Sequence, residues 1–208
     1  MKSSPLLTLA LFTLLAATTA VSRAAIVYSG IRDFPIPFDL EGSYLQLDTD
    51  TTATALPANW ATAPWINPFF GGVKIATSPL LRPIVTGSTQ ILNLALGTVI
   101  NSTSHFTLGE SGSDTHFGPA TGQFALNVPG YLGVAFRSTI TSPDSYGWIQ
   151  LQVSNLGPGK IIAWAYENLP ATPIAAGATG IVPEPATFTL LALTSLPLLT
   201  LRRRSPRP

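Results

Sequence analysis

The chain has 208 residues, no cysteine, only 10 % charged side chains and a formal charge of +1. Without cysteine, disulfides, thiolate metal sites and cysteine nucleophiles are all excluded, so a folded domain has to rest on packing alone. Residues 25–182 carry five basic and nine acidic side chains, a net charge of −4, and this rules out an electropositive surface with nucleic acid as its partner.

The amino terminus reads as a cleaved secretory leader over residues 1–24. Lys2 supplies the positive start, residues 6–17 an apolar stretch, and Ser22-Arg23-Ala24 a small-x-small pattern with cleavage after Ala24. Cleavage after Ala20 and a buried N-terminal helix are the competing readings. Cutting at Ala24 leaves a mature chain that begins Ala25-Ile26-Val27-Tyr28, already strand-like.

Residues 25–170 are long enough for one domain and read as all-β. Gly and Pro number 36 together, an alphabet poor in long amphipathic helices and rich in turns between β-branched runs. The runs 25–29, 34–38, 44–48, 73–77, 90–96, 122–127, 132–138, 147–153 and 160–167 predict about nine strands. Alternation is clearest at 148–153, where Ile149, Leu151 and Val153 share an inner face and Trp148, Gln150 and Gln152 a wetter one. Asn155-Leu156-Gly157-Pro158-Gly159 predicts an antiparallel hairpin into 160–167. The expected architecture is an antiparallel two-layer β-sandwich, jelly-roll-like, with an immunoglobulin-like or barrel arrangement behind it. Residues 57–72, with Trp60, Trp65, Phe69 and Phe70 among prolines, read as a long ordered loop or cover. Residues 171–182, small and uncharged, read as a flexible linker.

The last segment, 183–208, starts with Pro183-Glu184-Pro185, continues as an apolar span over about 186–201 and closes on a basic tail, 202–208. The fifteen residues 187–201 reach about 22 Å as a helix, short of a bilayer core of about 30 Å. Arg202, Arg203 and Arg204 favour the cytoplasmic side and set the topology, so everything before Pro183 faces outward. Tripeptide, span and arginine cluster, in that order behind a secretory leader, resemble the PEP-CTERM sorting signal. That resemblance implies a Gram-negative envelope, transient insertion in the inner membrane, and an exosortase, a membrane-embedded transpeptidase-like enzyme, as the partner that removes the tail. Upstream, Gly130 to Arg137, Tyr146-Gly147-Trp148, Ala165-Tyr166-Glu167 and Pro173 to Gly177 resemble the C-terminal part of a common group of such exported proteins.

Several clusters invite a chemical role. His105 and His116 flank Glu110 and Asp114 as possible metal ligands, although the spacing fits no established site. Asp48 and Asp50 offer alternate carboxylates for calcium but lack the glycine and later glutamate of an EF-hand loop. Glu110 and Glu167 are a glycosidase-type pair on composition, with a strand-end hydrogen bond as the plainer role for Glu167. No Gly-x-Ser-x-Gly elbow occurs, and Asn101-Ser102-Thr103 fits a glycosylation sequon that marks an exposed loop. The expected function is therefore an exported, non-enzymatic surface or matrix protein associated with exopolysaccharide, with no cofactor and no metal. A carbohydrate-binding module using Trp60, Trp65 or Trp148 is the alternative, and a polysaccharide hydrolase stands behind it.

Overall fold

A computed structural model describes residues 24–86, 90–107, 115–116 and 123–180, with the backbone alone at 115–116. In chain order the strands are β1 (Ile26–Tyr28), β2 (Phe34–Ile36), β3 (Tyr44–Gln46), β4 (Thr51–Ala53), β5 (Trp65–Phe69), β6 (Lys74–Thr77), β7 (Leu81–Pro83) and β8 (Val85–Thr86). They continue with β9 (Gln90–Ile91), β10 (Asn93–Leu94), β11 (Val99–Ile100), β12 (Thr115–His116), β13 (Pro129–Phe136), β14 (Ser145–Gln152), β15 (Gly159–Glu167) and β16 (Ile174–Ala175). Among the described residues the only helical pieces are two 3₁₀ turns, Trp60–Thr62 and Phe70–Gly72. The chain is thus mostly antiparallel β.

One sheet runs β1-β15-β14-β13-β10, with β2 also on β15 and β7 also on β13, and a second runs β12-β6-β5-β3-β4. The three long strands β13, β14 and β15 follow one another as a meander. The predicted hairpin is present: β14 pairs antiparallel with β15, broken by a bulge between Gln150 and Leu151. Its turn packs against the Phe70–Gly72 turn. Gly71 has φ +67, and a Cβ there would lie 2.2 Å from the Ser154 carbonyl oxygen, so only glycine fits.

Leu132, Val134, Ile149, Leu151 and Ile161 from the meander meet Leu45, Leu47, Ile66 and Ile75 from the second sheet in one core. The other face of the meander is also covered. Ala135, Trp148, Ala163 and Ala165 lie under Ile84, Leu94, Ile100, Ile174 and Ala176. Trp148, assigned from the alternation to a wetter face, is therefore only 2 % exposed. The small residues of that face are what allow the cover to approach: a Cβ on Gly133 would sit 2.6 Å from Ile84 Cδ1.

Three further expectations change. Residues 57–72 contain β5, an interior strand between β3 and β6. Pro68 hides it in the sequence, because proline argues against a central strand. Beyond Leu45↔Ile66 the Ser43 amide still donates to the Pro68 carbonyl at 3.0 Å, and the Asn67 side-chain amide stands in for the missing proline N–H by donating to the Glu41 carbonyl at 2.8 Å and the Ser43 carbonyl at 3.3 Å. Residues 123–128, expected as most of a strand, form bends and a turn with Asn127 at φ +58.

The third is the linker. Up to Gly180 it is part of the fold: β16 pairs with β11, Ile174 is 2 % and Ala176 1 % exposed. Its small residues, read as a sign of mobility, instead let the backbone lie flat on the sheet. Trp148 Nε1 donates to the Ala178 carbonyl at 2.9 Å, and a Cβ on Gly177 would strike Leu96 Cδ1 at 2.3 Å. Residues 181–182, the leader up to Arg23 and the apolar span lie outside the described residues.

Candidate functional site

Pro183, Glu184, Pro185, Arg202, Arg203 and Arg204 lie outside the described residues. The residues leading into each chain end are described, and they meet. Ala24 is exposed. Next to it the Ala25 amide donates to Asn168 Oδ1 at 3.0 Å, while the Asn168 amide donates back to the Ala25 carbonyl at 3.1 Å. Gly180 packs against Ile26, so that a Cβ there would be 3.3 Å from the Ile26 carbonyl oxygen. The chain thus enters and leaves this fold at one corner, at the end of β15. Among the described residues no helix is long and apolar enough to cross a membrane.

The acidic candidates are placed as follows. Asp48 and Asp50 stand in the turn between β3 and β4, but their carboxylates go to different partners. Asp48 Oδ1 accepts from Gln46 Nε2 at 2.8 Å, and Asp50 pairs with Arg32 Nη2. They do not form a bare carboxylate cage. Glu167 is 5 % exposed, and its Oε1 has no hydrogen-bond partner among the described residues. Glu110 and Asp114 lie outside them, as does the His116 side chain. His105 is held by its loop: Nδ1 is 3.1 Å from the Val85 carbonyl oxygen, and the His105 carbonyl accepts the Val85 amide at 2.9 Å. Among the described residues no group of three or more His, Asp or Glu stands close enough to hold a metal ion. Asn101 Oδ1 accepts from the Thr103 amide at 2.9 Å, closing an Asx turn.

Of the three tryptophans expected as sugar platforms, Trp65 and Trp148 are buried at 3 % and 2 % exposure. Trp65 Nε1 donates to Asn59 Oδ1 at 3.1 Å. Trp60 is half-buried and stands edge-on to Tyr44, ring centroids 5.7 Å apart.

A groove along the open edge between the sheets was not foreseen from any motif. Two adjoining hollows share Asp50 and Trp164; one is walled by Arg32, Phe34 and Thr52, the other by Tyr28, Asp48 and Tyr166. The chain leaves β1 at Ser29 and returns at β2, with the Ser29 amide donating to the Trp164 carbonyl at 3.0 Å. That detour brings Arg32 over the Trp164 ring, 5.9 Å from its centroid, where Asp50 holds the guanidinium from the side. Tyr166 donates its hydroxyl to the Asp48 carbonyl at 3.2 Å. Burial pushes the Tyr166 phenol up from its ordinary value, and the Asp48 and Asp50 charges push it further.

A second ion cluster is structural in form. Asp144 accepts from Arg82 Nη2 at 2.6 Å and Arg137 Nε at 2.7 Å, tying β7 and the end of β13 to the start of β14. No protein-family model, curated protein or solved structure matches the chain.

Proposed function

We propose that this is an exported, non-enzymatic surface or matrix protein whose β domain, a two-layer sandwich built around the β13–β15 meander, is released by an exosortase and associates with exopolysaccharide. The leader is removed after Ala24, and the tail is processed at Pro183-Glu184-Pro185 while Arg202, Arg203 and Arg204 hold the span on the cytoplasmic side. The order of leader, domain, tripeptide, span and arginines in the sequence carries this reading. The shared corner of Ala25, Asn168 and Gly180 supports it: a leader and a tail that both engage one membrane are best served by a domain that presents both ends on the same side.

Production of the full chain in cells with and without an active exosortase tests the proposal. A smaller, span-free product is expected only with the enzyme, and retention of the span in both strains would rule out processing. Glu167 gives the hydrolase reading little support, since an acid buried at the end of β15 and bordered by Ile26 is remote from substrate.

A further inference from the structure

We infer that the groove between the β1–β2 edge and the β3–β4 turn is a binding site for a neutral saccharide. It deepens the exopolysaccharide part of the proposed function but does not depend on how the tail is processed.

The chemistry of the walls selects the ligand. Arg32 and Asp50 are 48 % and 41 % exposed, so both are within reach of a ligand while paired to each other. Their charges cancel, which removes the free positive charge that a phosphate or polyanion needs, and Asp48, the other carboxylate of the groove, is bonded to the neutral Gln46 amide and turns polyanions away further. What remains is a planar set of donors beside a planar acceptor. Arg32 spends one of its five N–H groups' worth of direction on Asp50, and Asp50 keeps a second carboxylate oxygen. Adjacent hydroxyls on a sugar ring, each a donor and an acceptor, match that arrangement, and the exposed Thr52 hydroxyl extends it.

The guanidinium is also fixed before any ligand arrives. Trp164 supports it from below and Asp50 from the side, and a side chain ordered in advance loses less entropy on binding. Trp164 itself, 2 % exposed, is a support for Arg32 and not a stacking platform. The apolar ring faces of a sugar meet instead the half-buried rings of Phe34 in one hollow and Tyr166 in the other. Apolar rings beside a polar rim with no unpaired cation suit a molecule with one apolar face and a hydroxylated edge. A lipid chain would leave the rim unpaired.

The test is affinity electrophoresis of the purified full chain in detergent micelles, through gels that hold a neutral glucan, a neutral mannan, a neutral galactan or a polyuronate. Retardation by at least one neutral polymer is expected, weakened at least tenfold in Asp50→Ala and in Thr52→Trp. The second variant fills the groove from an exposed strand position and leaves the Arg32–Asp50 pair in place, so it decides the matter if Asp50→Ala unfolds. Trp60→Ala, at a residue that lines neither hollow, should bind as the parent does. Retardation by the polyuronate alone, by no polymer, or undiminished in a folded Thr52→Trp protein would overturn the assignment.

Discussion

The C-terminal strap offers the sharpest test of the fold, because replacing Ile174 by alanine has opposite consequences for a packed strap and a free linker. Ile174 is 2 % exposed, pairs with Ile100 and sits in the layer that covers Trp148. The change removes three buried carbons at roughly 0.8 kcal/mol each. A residual cavity adds to that, and the shortness of the β11–β16 ladder, which lets the strap relax, subtracts. About 2–3 kcal/mol of destabilisation results, or roughly 5–10 °C in Tm for a domain of this size. Urea unfolding followed by tryptophan fluorescence measures it, with Trp148 as a reporter beneath the strap through its bond to Ala178. Ile140→Ala, at 72 % exposure, is the control and should stay within about 0.5 kcal/mol. An Ile174→Ala protein as stable as that control would mean that residues 171–180 are not part of the folded domain.

Other consequences follow from single groups. Burial raises the Asp144 carboxyl, but hydrogen bonds and charge from Arg137 and Arg82 outweigh it and leave the group below its ordinary value. A depressed acid adds stability above the unfolded value of about 3.9 and loses it as pH falls through the folded one. Asp144→Asn should therefore cost about 1–2 kcal/mol at neutral pH, and denaturation at stepped pH should show the gap to the parent closing below about pH 4. Tyr44 is pushed up to about 12, by burial first and then by its bond to Glu41. Its contribution is present below about pH 10 and lost as pH rises toward the folded value; in alkaline absorbance titration, the difference between parent and Tyr44→Phe should develop late, and earlier once Glu41→Gln is added. Gly71→Ala meets the Ser154 carbonyl at 2.2 Å from a positive-φ residue, whereas Gly133→Ala meets the flexible Cδ1 ends of Ile84, Leu94 and Ile100. Thermal melts should show the first abolishing or severely weakening the fold and the second costing about 1–3 kcal/mol.

Local alternation was enough to read the β14–β15 hairpin, since Ile149, Leu151 and Val153 all face the core and Gly157-Pro158 marks the turn. It failed where a strand is buried on both sides. Trp148 looks solvent-facing only if nothing lies above it, and what lies above it is Ile174 to Ala178, more than twenty residues later. A run of small uncharged residues has two physical meanings, a loose tether or a backbone pressed flat against a sheet, and composition does not distinguish them. Pro68 concealed β5 by the ordinary rule for proline in sheets, which a side-chain amide from Asn67 circumvents. The groove was illegible for a different reason: Arg32, Asp50 and Trp164 come from three distant stretches, and only Asp50 drew notice on its own.

Mass spectrometry of the mature protein from cells with an active exosortase tests the proposed function most directly. An N-terminal peptide that begins at Ala25 is expected, with no peptide extending past the sorting motif into the span. Recovery of peptides running intact through Leu201 from released protein would contradict it.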